Sequence, residues 1–315
     1  MSAARPVAEG SVPSLDFLVI GAQKCATTWL HDCLGEHPEL ALPKHKLEMA
    51  YLGGDLVQER GPEWYFAQLP EAPAGGARGH VSVEYLADLR SAAEVHRHLP
   101  NVRLIVSLRD PVDRAVSAYH WYVRKTALPA VPVEEGLRQA MEGMDDESPA
   151  HAPLRDVLER GFYAEQIERY LTHFPIDRFL FVDYHDIARA PERVLAQVFG
   201  FLGVDPSFRP PSIATRPLLN SYVGALTRIQ RLVPNTRQAG KALDLVHQAL
   251  HRLGVRSASP RLDAGLQRAL AELYGHRRER LRELIASAPP EQQPMSFREG
   301  IGWLGAPVEQ TSRAR

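Results

Sequence analysis

Short unbroken apolar runs alternate along this chain with stretches in which apolar side chains recur every three or four positions. Phe17 to Ile20 run into Gly21, and an apolar-periodic stretch begins just after Thr27-Thr28, which predicts a strand, a tight loop and a helix ending near His37-Pro38. His80-Val-Ser-Val reads as a strand, followed by a helix over about Asp88 to His98. Val102 to Leu108 reads as a buried strand and 111–125 as a helix, with Pro111 suited to its first turn. Tyr163, Ile167, Tyr170, Leu171 and Phe174 fall at helical spacing, and Arg178 to Tyr184 is a further buried strand. Val194, Leu195, Val198, Phe201 and Leu202 mark a helix closed by Gly203 and Pro206, and the leucines from Leu262 to Leu284 mark a long amphipathic one ending near Ile285. Strands that alternate with helices predict an α/β fold, a three-layer sandwich with a mainly parallel central sheet and helices on both faces.

Two stretches break the pattern. Residues from Leu52 to Gly79 read as a Gly/Pro-rich connection. Pro129 to Pro153 is polar and Pro-containing, with one short helix, and reads as a lid or substrate loop rather than a linker. The expected organisation is a flexible N-terminus (1–14), a single domain (15–304) and a flexible tail (305–315). At 315 residues and 44% hydrophobic content the chain can bury a substantial core.

Charge narrows the partners. A formal net charge of −1 provides no polyanion-binding field, so nucleic acid is not expected as a partner. The basic residues are mostly Arg, a leaning compatible with a GC-rich bacterial genome. The two cysteines, Cys25 and Cys33, lie too far apart along one helix to bridge readily, and both are read as reduced. Proximity to Lys24 and a helix start would lower the Cys25 pKa, but the position suits packing better than nucleophilic catalysis. The N-terminus has no apolar signal core and no run is long enough to span a bilayer, so a cytoplasmic protein without a membrane span is expected. The histidines lack partners at metal-ligand spacing, so no metal is expected.

The most informative segment is Gly21-x-x-Lys24-x-x-Thr27-Thr28. Backbone N–H groups at a helix start, the positive end of its dipole and the Lys24 ammonium would converge on a phosphate-like anion. A Walker A loop would need a second Gly just before the Lys, which this segment lacks. A second segment, Arg109-Asp-Pro-Val-Asp-Arg-Ala-Val-Ser117, follows the strand 102–108. It puts Arg109 at the carboxyl end of that strand, where open α/β sheets bind ligands, with Ser117 two helical turns further on.

These two segments resemble, in order, the 5′-phosphosulfate loop and the 3′-phosphate site of sulfotransferases that use 3′-phosphoadenosine 5′-phosphosulfate (PAPS). Later landmarks are similar too: Gly161-Phe-Tyr163, a strand ending near Asp183-Tyr184, and the Phe-Leu-Gly of 201–203. The chain is identified as a member of the P-loop-like sulfotransferase family, nearest the heparan-sulfate-type and bacterial branches, some relatives in which carry a Golgi membrane anchor. The resemblance implies a P-loop-NTPase-like sulfotransferase fold and metal-independent transfer of the sulfuryl group of PAPS, releasing 3′-phosphoadenosine 5′-phosphate. It implies cofactor-binding residues Gln23, Lys24, Cys25, Ala26, Thr27, Thr28, Trp29, Arg109, Ser117 and Tyr163.

For the base, the family's Lys-Glu motif matches from Glu48 onward, with Leu47 where relatives have Lys and Lys46 one position earlier. His80 is the rival, because the cytosolic branch places a His near that strand end. The Lys-Gly-Arg triplet that closes the 3′-phosphate site in relatives is missing. Arg216 is the candidate replacement, with Arg237 and Lys241 left open. The acceptor is expected to be a small molecule, lipid or sugar hydroxyl, or an amine. Trp64, Tyr65, Trp121 and Tyr122 read either as its pocket or as core. Two other readings stay open: a kinase-like nucleotide-dependent enzyme, disfavoured by the absent second Gly and by the lack of a clear magnesium-binding Asp ending a buried strand, and a non-catalytic nucleotide-binding module.

Overall fold

A computed structural model describes residues 15–44, 51–215, 246 and 262–305. Glu48, Arg216, Arg237 and Lys241 lie outside the described residues, as do Lys46 and Leu47.

Five strands form one parallel sheet in the order β2-β3-β1-β4-β5. They are β1 (Phe17–Gly21), β2 (Leu40–Ala41), β3 (Ala77–Val81), β4 (Arg103–Leu108) and β5 (Phe179–Asp183). Strands β1, β4 and β5 coincide with the apolar runs, since a strand covered on both faces needs apolar side chains on both. β3 begins three residues before the expected His80 start. Its Ala-Arg-Gly-His-Val sequence has no apolar run, yet all five residues are buried. The Arg78 guanidinium is accommodated by donating to the Phe66 and Leu69 carbonyls. Gly79 is demanded by packing, because a Cβ there would stand 2.1 Å from the Phe17 ring, its register partner in β1.

Helices cover both faces. One core cluster holds Leu18, Ile20, Leu104 and Val106 under α3 (Pro62–Ala67), α4 (Glu84–Ala87), α5 (Ser91–His98) and α9 (Tyr163–Leu171). The other holds Phe17, Val19, Ile105 and Leu180 under α1 (Thr27–Gly35) and α11 (Pro191–Leu202). α3, with α2 (Asp55–Arg60), occupies the stretch expected to be a Gly/Pro-rich connection.

A third cluster joins α6 (Pro111–Arg124), α7 (Val133–Glu142), α8 (Ala152–Glu159) and the long α12 (Ala264–Ala286). The segment 129–153 therefore contains a ten-residue helix, α7, whose Leu137 and Ala140 are fully buried. The apolar face of α7 packs on neighbouring helices, while the stretch after it is exposed at 145 and 147–150. Two short helices, α13 (Met295–Arg298) and α14 (Gly302–Gly305), bring the chain back to the end of β5. α10 (Tyr184–Arg189) leaves β5 directly, capped by the Asp183 carboxylate, which accepts the His185 N–H.

Candidate anion site at the sheet switch point

β1 lies between β3 and β4, so the connections leaving it and leaving β4 open on opposite sides of a crevice at the carboxyl ends. The loop from Ala22 to Ala26 crosses that crevice. It is tied to β4 at Ala22 and at Cys25: the Ala22 N–H donates to the Ser107 carbonyl (2.7 Å), and the Ser107 hydroxyl donates to the Cys25 carbonyl (2.5 Å). α4 closes the approach at Gly21, where a Cβ would stand 2.8 Å from Leu86 Cβ.

Lys24 and Ala26 both have left-handed backbone, with φ of 69° and 64°. Side chains rarely tolerate this, and such alternation turns successive N–H groups toward one concavity. Ala26 is the N-cap of α1, and no side chain caps that end. An N-terminus without a cap keeps its orphan N–H groups and about half an elementary positive charge for a ligand. Lys24 is half-buried and Thr28 exposed at this mouth, while Thr27 is buried. Trp29 turns into the core, its indole N–H without a hydrogen-bond partner among the described residues. Gln23 is buried, within hydrogen-bonding reach of Tyr122, and its Oε1 has no hydrogen-bond partner among the described residues.

Arg109 follows β4 immediately. Its guanidinium lies over the Tyr184 ring, 4.5 Å from the centroid, and its Nε has no hydrogen-bond partner among the described residues. Its carbonyl accepts from the Tyr163 hydroxyl (3.1 Å), which also sits 3.6 Å from Cys25 Sγ. Tyr163 is buried and joins the loop to the β4–α6 turn. Burial pushes the Cys25 thiol up to about 11, against the opposing Tyr163 hydrogen bond and Arg114 and Arg109 charges. The helix-start effect expected from sequence is outweighed by desolvation. Cys25 and Cys33 are both free and buried.

Ser117 is buried on α6, and one turn before it Arg114 is 0% exposed. The Arg114 guanidinium donates to the Val157 carbonyl and hydrogen bonds Tyr274, and among the described residues its Nε and Nη1 have no hydrogen-bond partner. Among the described residues no carboxylate pairs with Arg109 or Arg114. A buried, unpaired cation is costly, and an anion in the crevice would relieve that cost. On the opposite side of the loop the charges are neutralised internally: Arg160 pairs with Glu84 (2.8 Å) and Asp156 (3.1 Å), and Asp156 also accepts from the Tyr122 hydroxyl (2.7 Å).

His80 lies apart from this constellation. It is 1% exposed, one residue short of the end of β3, with Nδ1 hydrogen bonded to the hydroxyls of Tyr65 (2.9 Å) and Tyr85 (3.1 Å). Those hydroxyls are 2.6 Å apart. Tyr65 and Tyr122 are buried and Trp64 and Trp121 half-buried. Tyr65 is core, not pocket.

Asp183 ends β5, where the sequence reading put the end of that strand, and its carboxylate is turned inward and taken up by His185, Ser296 and Trp303. Burial raises its pKa despite these hydrogen bonds. The described residues hold no group of three or more His, Cys, Asp or Glu able to ligate a metal. Reading the sequence missed Ser107, Arg114 and Tyr184. Ser107 was detectable as the one polar residue among the apolar positions 104–108.

A parallel sheet with an uncapped helix start and, among the described residues, two guanidiniums without a carboxylate partner near its switch point defines a protein of the open α/β class with a candidate anion site. The chain belongs to the sulfotransferase family: the sulfotransferase domain matches residues 14–219. It is 28% identical over 190 residues to human heparan sulfate glucosamine 3-O-sulfotransferase 6, covering 59% of this chain and 52% of that protein. It is 30% identical over 200 residues to human bifunctional heparan sulfate N-deacetylase/N-sulfotransferase 3, covering 61% of this chain and 22% of that one. The chain thus spans about half the length of the first relative and less of the second. A crystal structure of a sulfotransferase from Alicyclobacillus acidocaldarius has a similar fold, with a TM-score of 0.62, 24% identity, and coverage of 90% of this chain and 97% of that one. Among the described residues no helix is long and apolar enough to cross a membrane.

Proposed function

We propose that this chain is a sulfotransferase that moves the sulfuryl group of PAPS onto a hydroxyl or amine, releasing 3′-phosphoadenosine 5′-phosphate. The observation that carries the reading is the unpaired pair Arg109 and Arg114 beside the uncapped start of α1, inside a fold and family that use such a site for this donor. The N–H groups of 23–28 other than that of Cys25, which donates to the Ala22 carbonyl (3.3 Å), would receive the 5′-phosphosulfate together with Lys24. Arg109, held flat by Tyr184, would fork onto the 3′-phosphate with the Ser117 hydroxyl beside it.

In the transfer the acceptor oxygen or nitrogen bonds to sulfur, the sulfur–oxygen bridge to phosphate breaks, and the acceptor's proton passes to a base. Positive groups around the leaving phosphate stabilise its growing charge. Glu48 is the proposed base, because His80 has its Nδ1 engaged by two tyrosines inside the core. Arg216 is the proposed closure of the 3′-phosphate site. The acceptor class is a small molecule, lipid or sugar. The free, buried cysteines suit a reducing compartment such as the cytoplasm.

Calorimetry without magnesium, comparing 3′-phosphoadenosine 5′-phosphate, adenosine 5′-phosphate and ATP, tests the reading. Tight binding of the first alone is the expected result. A preference for ATP that requires magnesium would replace the reading with a kinase-like one.

A further inference from the structure

Residues 295–304 lie wholly beyond the stretch matched by the sulfotransferase domain, yet they reach the back of the anion site. The buried Asp183 carboxylate is where they attach. Its Oδ1 accepts from the His185 N–H (3.0 Å) and the Trp303 indole N–H (3.1 Å), and its Oδ2 accepts from the Ser296 hydroxyl (2.7 Å). The Ser296 N–H donates to both carboxylate oxygens of Asp186, at 3.1 and 2.9 Å. The segment is fastened from outside as well. The Arg282 guanidinium donates to the Leu304 carbonyl, and Arg189 pairs with Glu299 (2.5 Å).

Tyr184 stands between Asp183 and His185, and its ring carries the Arg109 guanidinium. The Trp303 ring also lies 6.2 Å from that of Tyr163, whose hydroxyl holds the Arg109 carbonyl. Both supports of Arg109, under its side chain and on its backbone, are therefore backed by one indole.

We infer that Trp303, assisted by Ser296, is a positioning residue for the 3′-phosphate: through Asp183 and Tyr184 it fixes the direction of the Arg109 fork. The inference rests on the proposed function, and it adds to the proposed site an element from outside residues 14–219, the stretch that the family model matches. The physical reason is directional. A guanidinium meets two phosphate oxygens well in one orientation, so a small tilt of the Tyr184 ring costs one of the two hydrogen bonds. The hydrogen-bonded route through Asp183 and Tyr184 bypasses the Ala22–Ala26 loop, and Trp303→Phe keeps an apolar ring against Tyr163, which reaches that loop at Cys25 Sγ, so the 5′-phosphate contacts are expected to stay intact.

The test is calorimetry on the full chain with 3′-phosphoadenosine 5′-phosphate and adenosine 5′-phosphate as probes. Trp303→Phe keeps the apolar ring and removes the donor. It is expected to weaken the 3′-phosphorylated nucleotide about three- to tenfold, as for one lost charge-assisted hydrogen bond, and to change adenosine 5′-phosphate less than about twofold. In an Arg109→Ala background the same substitution is expected to have no further effect on either nucleotide, because residues acting as one unit are not additive. Where Trp303→Phe does not fold by circular dichroism, Ser296→Ala, which removes only a hydroxyl, carries the same expectations. An equal loss for both nucleotides, an unchanged ratio, or full additivity with Arg109→Ala overturns the inference. Failure of the wild-type chain to prefer the 3′-phosphorylated nucleotide overturns the proposed function itself, so the two failures are told apart by the first titration.

Discussion

At the scale of single residues, the site is built from side chains with contrasting surroundings. Lys24 stands half-buried at a left-handed backbone position, held there by a loop anchored through Ser107. In the proposed reaction its ammonium is the point charge that would offset the charge growing on the departing phosphate. Lys24→Ala is expected to lower turnover at least about a hundredfold, the scale of losing one electrostatic donor in a dry site, while the protein's melting temperature stays close to wild type. Steady-state transfer assays with a thermal melt check both halves. Cys25, its neighbour, is the reverse case: its thiol is buried and held protonated at neutral pH. A thiol reagent at pH 8 is expected to leave Cys25 and Cys33 unmodified in the native chain and to modify both after unfolding in guanidinium. Rapid native reaction of one equivalent would show that the loop opens.

At the scale of elements, the helical cluster of α6, α7, α8 and α12 supports the Arg109–Ser117 face from behind. Leu137 is fully buried in that cluster. Leu137→Ala is expected to destabilise the protein by about 2–5 kcal/mol through lost burial and a residual cavity, measured by denaturant unfolding. A near-zero cost would mean that α7 is a loosely held lid after all. α4 and the turn after it give a pH dependence. Partial burial raises the Asp88 pKa, and hydrogen bonds from Arg90 and Tyr51 outweigh this and hold it below its ordinary value. A depressed carboxylate adds stability that is full above the unfolded pKa near 4 and is lost as pH falls through the lower folded value. Asp88→Asn is therefore expected to lower the melting temperature at pH 7, with the difference from wild type shrinking as pH falls below about 4.

Elements whose evidence is local were legible in the sequence, and those whose evidence is distant were not. β1, β4 and β5 show as apolar runs because both their faces are covered. β3 does not, because Arg78 and His80 are reconciled with burial by Phe66, Leu69, Tyr65 and Tyr85, partners that sequence does not reveal. The anion loop was legible because glycine, lysine and paired threonines fall within eight residues. The stacking of Arg109 on Tyr184 and the closure on Asp183 by Trp303 were not, since each joins residues far apart along the chain. The end of β5 at Asp183 was legible but the role of its carboxylate was not, because what decides it is the pair of donors on Ser296 and Trp303.

At the scale of the whole molecule, the three-layer sheet, its switch point and the returning C-terminal segment make one unit. Its last long helix, α12, covers apolar surface on helices finished far earlier in the chain. Leu266, Leu270 and Tyr274 pack with α6, α7 and α8, and Leu281, Leu284 and Ile285 join the core with α9. During synthesis from the N-terminus, those earlier helices leave the ribosome with their outer apolar faces bare, and they stay bare until residues 264–286 emerge. The nascent chain thus passes through a stage that is helical and sticky yet unable to close, the kind of intermediate that chaperones hold and that aggregates when synthesis stalls.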